Sequence, residues 1–119
     1  MSGKASKDKG KRFERTIAKI LSDRFDTKVS RIPCSGALPG WVGDLRDLGN
    51  GPLKDFVWEC KHQERINIWA CLHQSQAEAT GGRIPVLVFT KNHELNYVAL
   101  ELTDFLNILK ELEDLKCGM

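Results

Sequence analysis

Several special classes are excluded by what this chain has little of. Proline occurs only four times in 119 residues, so a mostly ordered globular chain is expected. No apolar run approaches the roughly 18 residues that a bilayer-spanning helix needs. The basic start, Met1 to Lys7, lacks a following apolar segment, so no secretory signal is read there and a cytoplasmic location without a membrane partner is expected. The four cysteines, at positions 34, 60, 71 and 117, make no C-x-x-C pair, and His62, His73 and His93 complete no zinc spacing. Reduced structural thiols follow, with a metal shared by Cys71 and His73 as a minor alternative. The length suits one domain with one core.

Net charge is only +2, but it is unevenly spread. Residues 1–24 carry Lys4, Lys7, Lys9, Lys11, Arg12, Arg15, Lys19 and Arg24 against three acids, a net of +5. Residues 101–119 carry five acids and two lysines, a net of −3. A basic end and an acidic end point to a one-sided footprint for a polyanion. A solubilising lysine tail is the plainer alternative.

Residues 1–10 read as a mobile basic tail and 11–119 as one domain. Phe13, Ile17, Ile20, Leu21 and Phe25 recur at helical spacing. Lys28 to Pro33 alternates like a strand, and a glycine-rich loop follows from Cys34 to Gly43. Two strands, Asp44 to Leu48 and Lys54 to Lys61, flank Gly49-Asn50-Gly51-Pro52, turn chemistry for an antiparallel hairpin. A helix from Ile66 to Thr80 stops at Gly81-Gly82. Ile84 to Thr90 is a buried strand and Asn96 to Leu102 a further one. A last helix, Thr103 to Lys116, is expected to be capped by Thr103 and to turn Phe105, Leu106, Leu109 and Leu112 inward. The order α-β-β-β-α-β-β-α gives the α/β class, with a mixed sheet flanked by helices.

Polar residues stand out against this pattern. On the strand ending Trp58-Glu59-Cys60-Lys61, side chains alternate, so Glu59 and Lys61 share a face with Val57. An Asp (Gly43-Asp44) followed by a Glu-x-Lys at the end of an apolar run is how many nucleases hold magnesium beside a phosphodiester. An ordinary exposed ion pair has the same spacing. With Phe13 at 0° on a helical wheel, Glu14 falls at about 100°, inside the stripe from Ile17 at about 40° to Phe25 at about 120°. A carboxylate there needs a partner, either a neighbouring basic group or a metal or water. With Ile66 at 0°, Gln76 falls at about 280°, between Leu72 and Trp69, so Gln76 rather than Gln74 is expected to face the sheet.

In this order the residues resemble the PD-(D/E)xK nuclease superfamily, and most closely its small Holliday-junction-resolvase-type members from archaea and phages. The resemblance rests on Gly10-Lys11-Arg12-Phe13-Glu14, Arg31, Ser35-Gly36-Ala37, Gly43-Asp44, Glu59-Cys60-Lys61 and the helix bearing Gln76-Ala77-Glu78-Ala79. It departs in having Gly rather than Pro before Asp44, and in the apolar loop around Leu38-Pro39-Gly40-Trp41. It implies a restriction-endonuclease-like core and metal-dependent hydrolysis of DNA, in a prokaryote or a phage host. Asp44, Glu59 and the Cys60 main-chain carbonyl would bind Mg²⁺, with Mn²⁺ substituting, and Glu14 would serve a second ion or a metal-bound water. Lys61 would orient the attacking water, Gln76 would steady Lys61 or Glu59, and Arg31 and Ser35 would grip a phosphate. Lys4, Lys7, Lys9, Lys11, Arg12 and Arg15 would attract the DNA backbone. Branched DNA is the implied partner. A junction's two-fold symmetry implies a homodimer, whose interface the sequence does not identify; Trp41, Trp69 and the last helix are candidates, each read more readily as core. The rival readings are a flap, nick or duplex nuclease, a non-catalytic DNA-binding module, and an adaptor docking through its last helix.

Overall fold

The computed structural model describes residues 3–33 and 43–118. Ser35 and Trp41 lie outside them. In chain order the elements are α1 (Gly3–Phe25), β1 (Val29–Arg31), β2 (Leu45–Asp47), a 3₁₀ turn (Pro52–Asp55), β3 (Phe56–His62), α2 (Ile68–Glu78), β4 (Ile84–Thr90), β5 (Tyr97–Ala99) and α3 (Leu102–Cys117). The sheet runs β1-β2-β3-β4-β5. Only β3 and β4 are parallel, and the other neighbours are antiparallel. This is the mixed sheet expected, with α2 as the crossover that parallel pairing requires.

The two faces of the sheet take different helices. Phe13, Ile17 and Ala18 of α1 close over Val29, Leu45, Leu53, Cys60 and Val88. On the opposite face α2 lies against β4 and β3, presenting buried Cys71 and Ser75. Covered on both sides, β4 needs no polar face, which is why Ile84 to Thr90 reads as a continuous apolar run. Among the described residues, no helix is long and apolar enough to cross a membrane.

Four expectations require correction. The basic segment is not a separate tail: α1 begins at Gly3. Lys, Ala, Ser and Asp tolerate a helix, two glycines cost it only about 1 kcal/mol each, and Lys9 reaches Glu64 at 3.9 Å. Gln76 is exposed, and so is Trp69 at 73%. The buried stripe of α2 runs through Cys71 and Ser75, so placing the apolar face by the indole sets the wheel about a third of a turn off. The cap of α3 is Glu101, whose side chain accepts from the Asp104 N–H at 3.0 Å, rather than Thr103. Finally, Phe105, Leu106, Leu109 and Leu112 do not pack on the sheet. All four are exposed, and α3 buries no residue.

Candidate active site

The site is built where β2 meets β3. Beyond the last paired residues, Leu45 and Trp58, Asp44 continues the connection. Its N–H donates to the Trp58 carbonyl at 2.7 Å, and its Oδ2 accepts from the Cys60 N–H at 2.8 Å. The Asp44 carbonyl accepts from Ile32 N–H at 2.8 Å. Two hydrogen bonds thus fix one buried aspartate against β3, and a third ties it to the residue after β1. Gly43 makes this approach possible. Its φ is +84°, and a Cβ there would stand 2.8 Å from the Trp58 carbonyl oxygen and 3.0 Å from Val57 Cγ1. Gly43→Ala is therefore expected to combine backbone strain with a clash that has nowhere to relax. It should lower stability by about 2–4 kcal/mol, read as a fall in urea midpoint, and displace Asp44.

Glu59 shares the α2-facing side of β3 with Val57, as alternation requires, and is only 3% exposed. Its carboxyl is pushed up to about 10, first by burial, then by a hydrogen bond with Glu78 and by the charges of Asp44 and Glu78, with Lys61 partly opposing. Two carboxyl groups bond only by sharing a proton, which raises the Glu59 carboxyl. Glu78 Oε2 is buried, and its Oε1 accepts from Gln74 Nε2 at 3.3 Å. The α2 residue that reaches the site is therefore Glu78, not Gln76. The sequence carries a signal for it: on the same wheel Glu78 falls at about 120°, beside Cys71 at about 140°.

On the α1 side, Glu14 Oε1 accepts from Arg31 Nε at 2.6 Å. Burial and the neighbouring Asp44 nonetheless raise the Glu14 carboxyl, outweighing Arg31 and Lys61. The Cys60 thiol is pushed well up, by burial first and then by Asp44, Glu14 and Glu59, so it is inert at neutral pH. Asp44, Glu14, Glu59 and Lys61 thus form one electrostatically coupled group drawn from α1, the β2 entrance and β3.

A cleft of about 680 Å³ opens over this group at the C-terminal end of β3. Glu14, Arg31, Asp44, Cys60 and Lys61 form its floor, and Lys7, Lys9, Lys11, Gln63, Glu64 and Arg65 belong to its walls. Glu59 lies behind the floor rather than on it. Lys7, Lys11 and Glu14 are spaced i, i+4 and i+7, so the added first turns of α1 carry a lysine stripe down to the carboxylates. The cleft has six cationic side chains against three carboxylates. Arg12 lines an adjoining groove with His62 and Asn92. Lys4 and Arg15 are exposed and do not line the cleft.

The donor chemistry of the group fits a hard divalent cation. Its acidic members are oxygen donors, they repel one another, and burial leaves the Glu59 charge uncompensated by lysine alone. Among the described residues, no three His, Cys, Asp or Glu side chains stand close enough to cage one ion.

A mixed α/β sheet that sets Asp and Glu-x-Lys beneath a basic cleft is the core of a PD-(D/E)xK nuclease. The chain belongs to this superfamily: residues 5–117 match the family described as "Phage putative PDDEXK endonuclease". No curated protein and no solved structure matches the chain.

Proposed function

We propose that the protein is a divalent-metal-dependent endonuclease that hydrolyses phosphodiester bonds of branched DNA, with four-way junctions as its substrate, in the cytoplasm of a prokaryote or phage host. The observation that carries the metal-dependent reading is the buried, mutually repelling Asp44–Glu59 pair beside Lys61 under a lysine-lined cleft. Asp44, Glu59 and the Cys60 carbonyl are the ligands for Mg²⁺ or Mn²⁺, and Glu14 is the outer carboxylate. The bound cation supplies Lewis acidity at the scissile phosphate and lowers the pKa of an attacking water.

The remaining roles fall to the chain itself. Lys61 orients the water and offsets the charge that builds on phosphorus as the water oxygen bonds to it and the leaving oxygen departs. Arg31 uses Nε for Glu14, and its fork of five donors leaves others for a backbone phosphate. Ser35 is proposed to assist there. Glu78, bonded to Glu59, would hold that carboxyl in place. Lys7, Lys9 and Lys11 supply attraction to DNA that is independent of sequence.

Lys61→Ala should slow cleavage by about 10²–10⁴ with little change in DNA affinity, as removal of a proton-handling group does. Single-turnover rates read this directly. Replacing Lys7 and Lys11 together with alanine should weaken binding to all sequences alike. The slope of log affinity against log salt should become shallower by about two, roughly one for each phosphate no longer neutralised.

Paired cuts in a two-fold junction require two such sites, hence a homodimer. End-labelled four-way junction, flap and linear duplex, incubated with Mg²⁺ and resolved on a denaturing gel, test the substrate. Symmetric nicks confined to the junction support a resolvase. Equal cutting of all three removes the resolvase and keeps the nuclease.

A further inference from the structure

A helix that buries nothing has no reason to be amphipathic unless something covers it. Helix α3 is such a helix: Leu102, Phe105, Leu106, Leu109, Leu112 and Leu115 are 43–70% exposed. The side it turns to its own domain is its polar edge. Asn107 and Glu111, with Ile108, line a cleft against Phe56 and Arg83. The leucine stripe faces away. Consistent with this, the radius of gyration is 14.9 Å, against about 13.5 Å for a compact chain of this length.

We propose that the leucine stripe of α3 is the surface through which two copies of this chain dimerise. Leu102, Phe105, Leu109 and Leu112 follow the 3-4-3 spacing of a helix–helix seam, and such a seam is complementary to itself. The six side chains present roughly 600 Å² of apolar surface per copy, more than the few hundred Å² a monomer normally tolerates. Two copies would bury on the order of 1,200 Å², the lower bound of a specific interface. The edge strand β5, immediately before α3, adds exposed Val98 and extends the surface.

Other occupants fit less well. Between Leu102 and Cys117 there are four acids and two lysines, the wrong sign for DNA or for an anionic membrane, whose surface helices are rich in Lys and Arg.

The dimer rests on the apolar face alone, while its link to paired cutting rests on the nuclease reading. Sedimentation velocity of the full chain, without DNA, keeps the two apart. At tens of micromolar the wild type should sediment at twice the 13.4 kDa of one chain. Leu109→Glu with Leu112→Glu should sediment as a monomer with unchanged near-UV circular dichroism. If that pair disturbs the fold, Leu109→Ala with Leu112→Ala should still weaken dimerisation at least tenfold. A wild type that stays monomeric to 100 μM overturns the proposal, as does a folded glutamate variant that remains dimeric. A monomer that co-sediments with anionic phosphatidylserine vesicles would also overturn it, assigning the stripe to lipid.

Discussion

Asp44→Asn is expected to abolish DNA cleavage while leaving the fold and DNA binding in place. The fold persists because the Asn carboxamide oxygen can still accept from the Cys60 N–H, the bond that Asp44 Oδ2 makes at 2.8 Å. The two main-chain bonds of residue 44, to Trp58 and Ile32, do not involve the side chain. Binding persists because the lysine stripe of α1 is untouched. What disappears is a formal negative charge at a proposed metal ligand. A bound cation contributes several kcal/mol to the transition state, and each 1.36 kcal/mol is tenfold in rate. A loss on the order of 10³-fold or more is expected, measured as single-turnover cleavage at saturating enzyme. Binding should stay within about threefold in a gel-shift titration. Residual activity near wild type at ordinary Mg²⁺ would remove Asp44 from the chemistry.

Glu59→Gln has an effect of opposite sign on stability, and it depends on pH. The folded carboxyl titrates near 10 rather than at its ordinary 4.5, so the folded chain holds a proton that the unfolded chain has released. Stability from that proton is fully present below about pH 4.5 and is lost progressively up to about 10, at roughly 1.4 kcal/mol per pH unit. The amide put in its place is neutral throughout. In EDTA the variant should therefore match the wild type near pH 5 and exceed it increasingly as pH rises. Near pH 7 the gain approaches about 3 kcal/mol, on the order of 10 °C in Tm. Divalent cation should reverse the order, raising the wild type by mass action and leaving the variant unmoved. The same carboxyl that weakens the free protein is thus the one proposed to hold the metal.

How much of this is legible in the sequence differs by element. The strand from Ile84 to Thr90 reads to the residue, because its composition and the Gly81-Gly82 turn leave no competing period. Asp44, Glu59 and Lys61 are legible because alternation on β3 fixes which side chains share a face, and Glu14 because a carboxylate interrupts an apolar stripe. Two readings fail for one reason. Trp69 and the α3 leucines look like core on account of their hydrophobicity, yet period alone does not say which apolar stripe a single chain buries. The indole carries Gln76 with it toward the sheet, whereas the small residues Cys71 and Ser75 allow α2 its close approach and bring Glu78 to Glu59. The first turns of α1 escape a sequence reading because they carry no apolar stripe and two glycines weaken local propensity. The reason to keep them helical lies outside the segment, in the ion pair of Lys9 with Glu64 and the cleft they line. The pairing of Arg31 with Glu14 joins residues 17 apart in sequence and has no local signal.

The proposed metal site and the proposed dimer occupy different parts of the molecule. The cleft opens at the C-terminal end of β3, with α1 along one wall, whereas α3 lies beside Phe56 and Ile84, at the N-terminal ends of β3 and β4. A pair joined through α3 leaves both clefts open.

The proposed chemistry turns on a cation acting at Asp44 and Glu59, and one titration addresses it most directly. An end-labelled four-way junction would be incubated with the wild-type protein, from excess EDTA through millimolar Mg²⁺ and Mn²⁺. Initial cleavage rates should be zero in EDTA and rise to saturation with either ion. Cutting that persists undiminished in EDTA, or a folded, DNA-binding protein that cuts with neither ion, would contradict it.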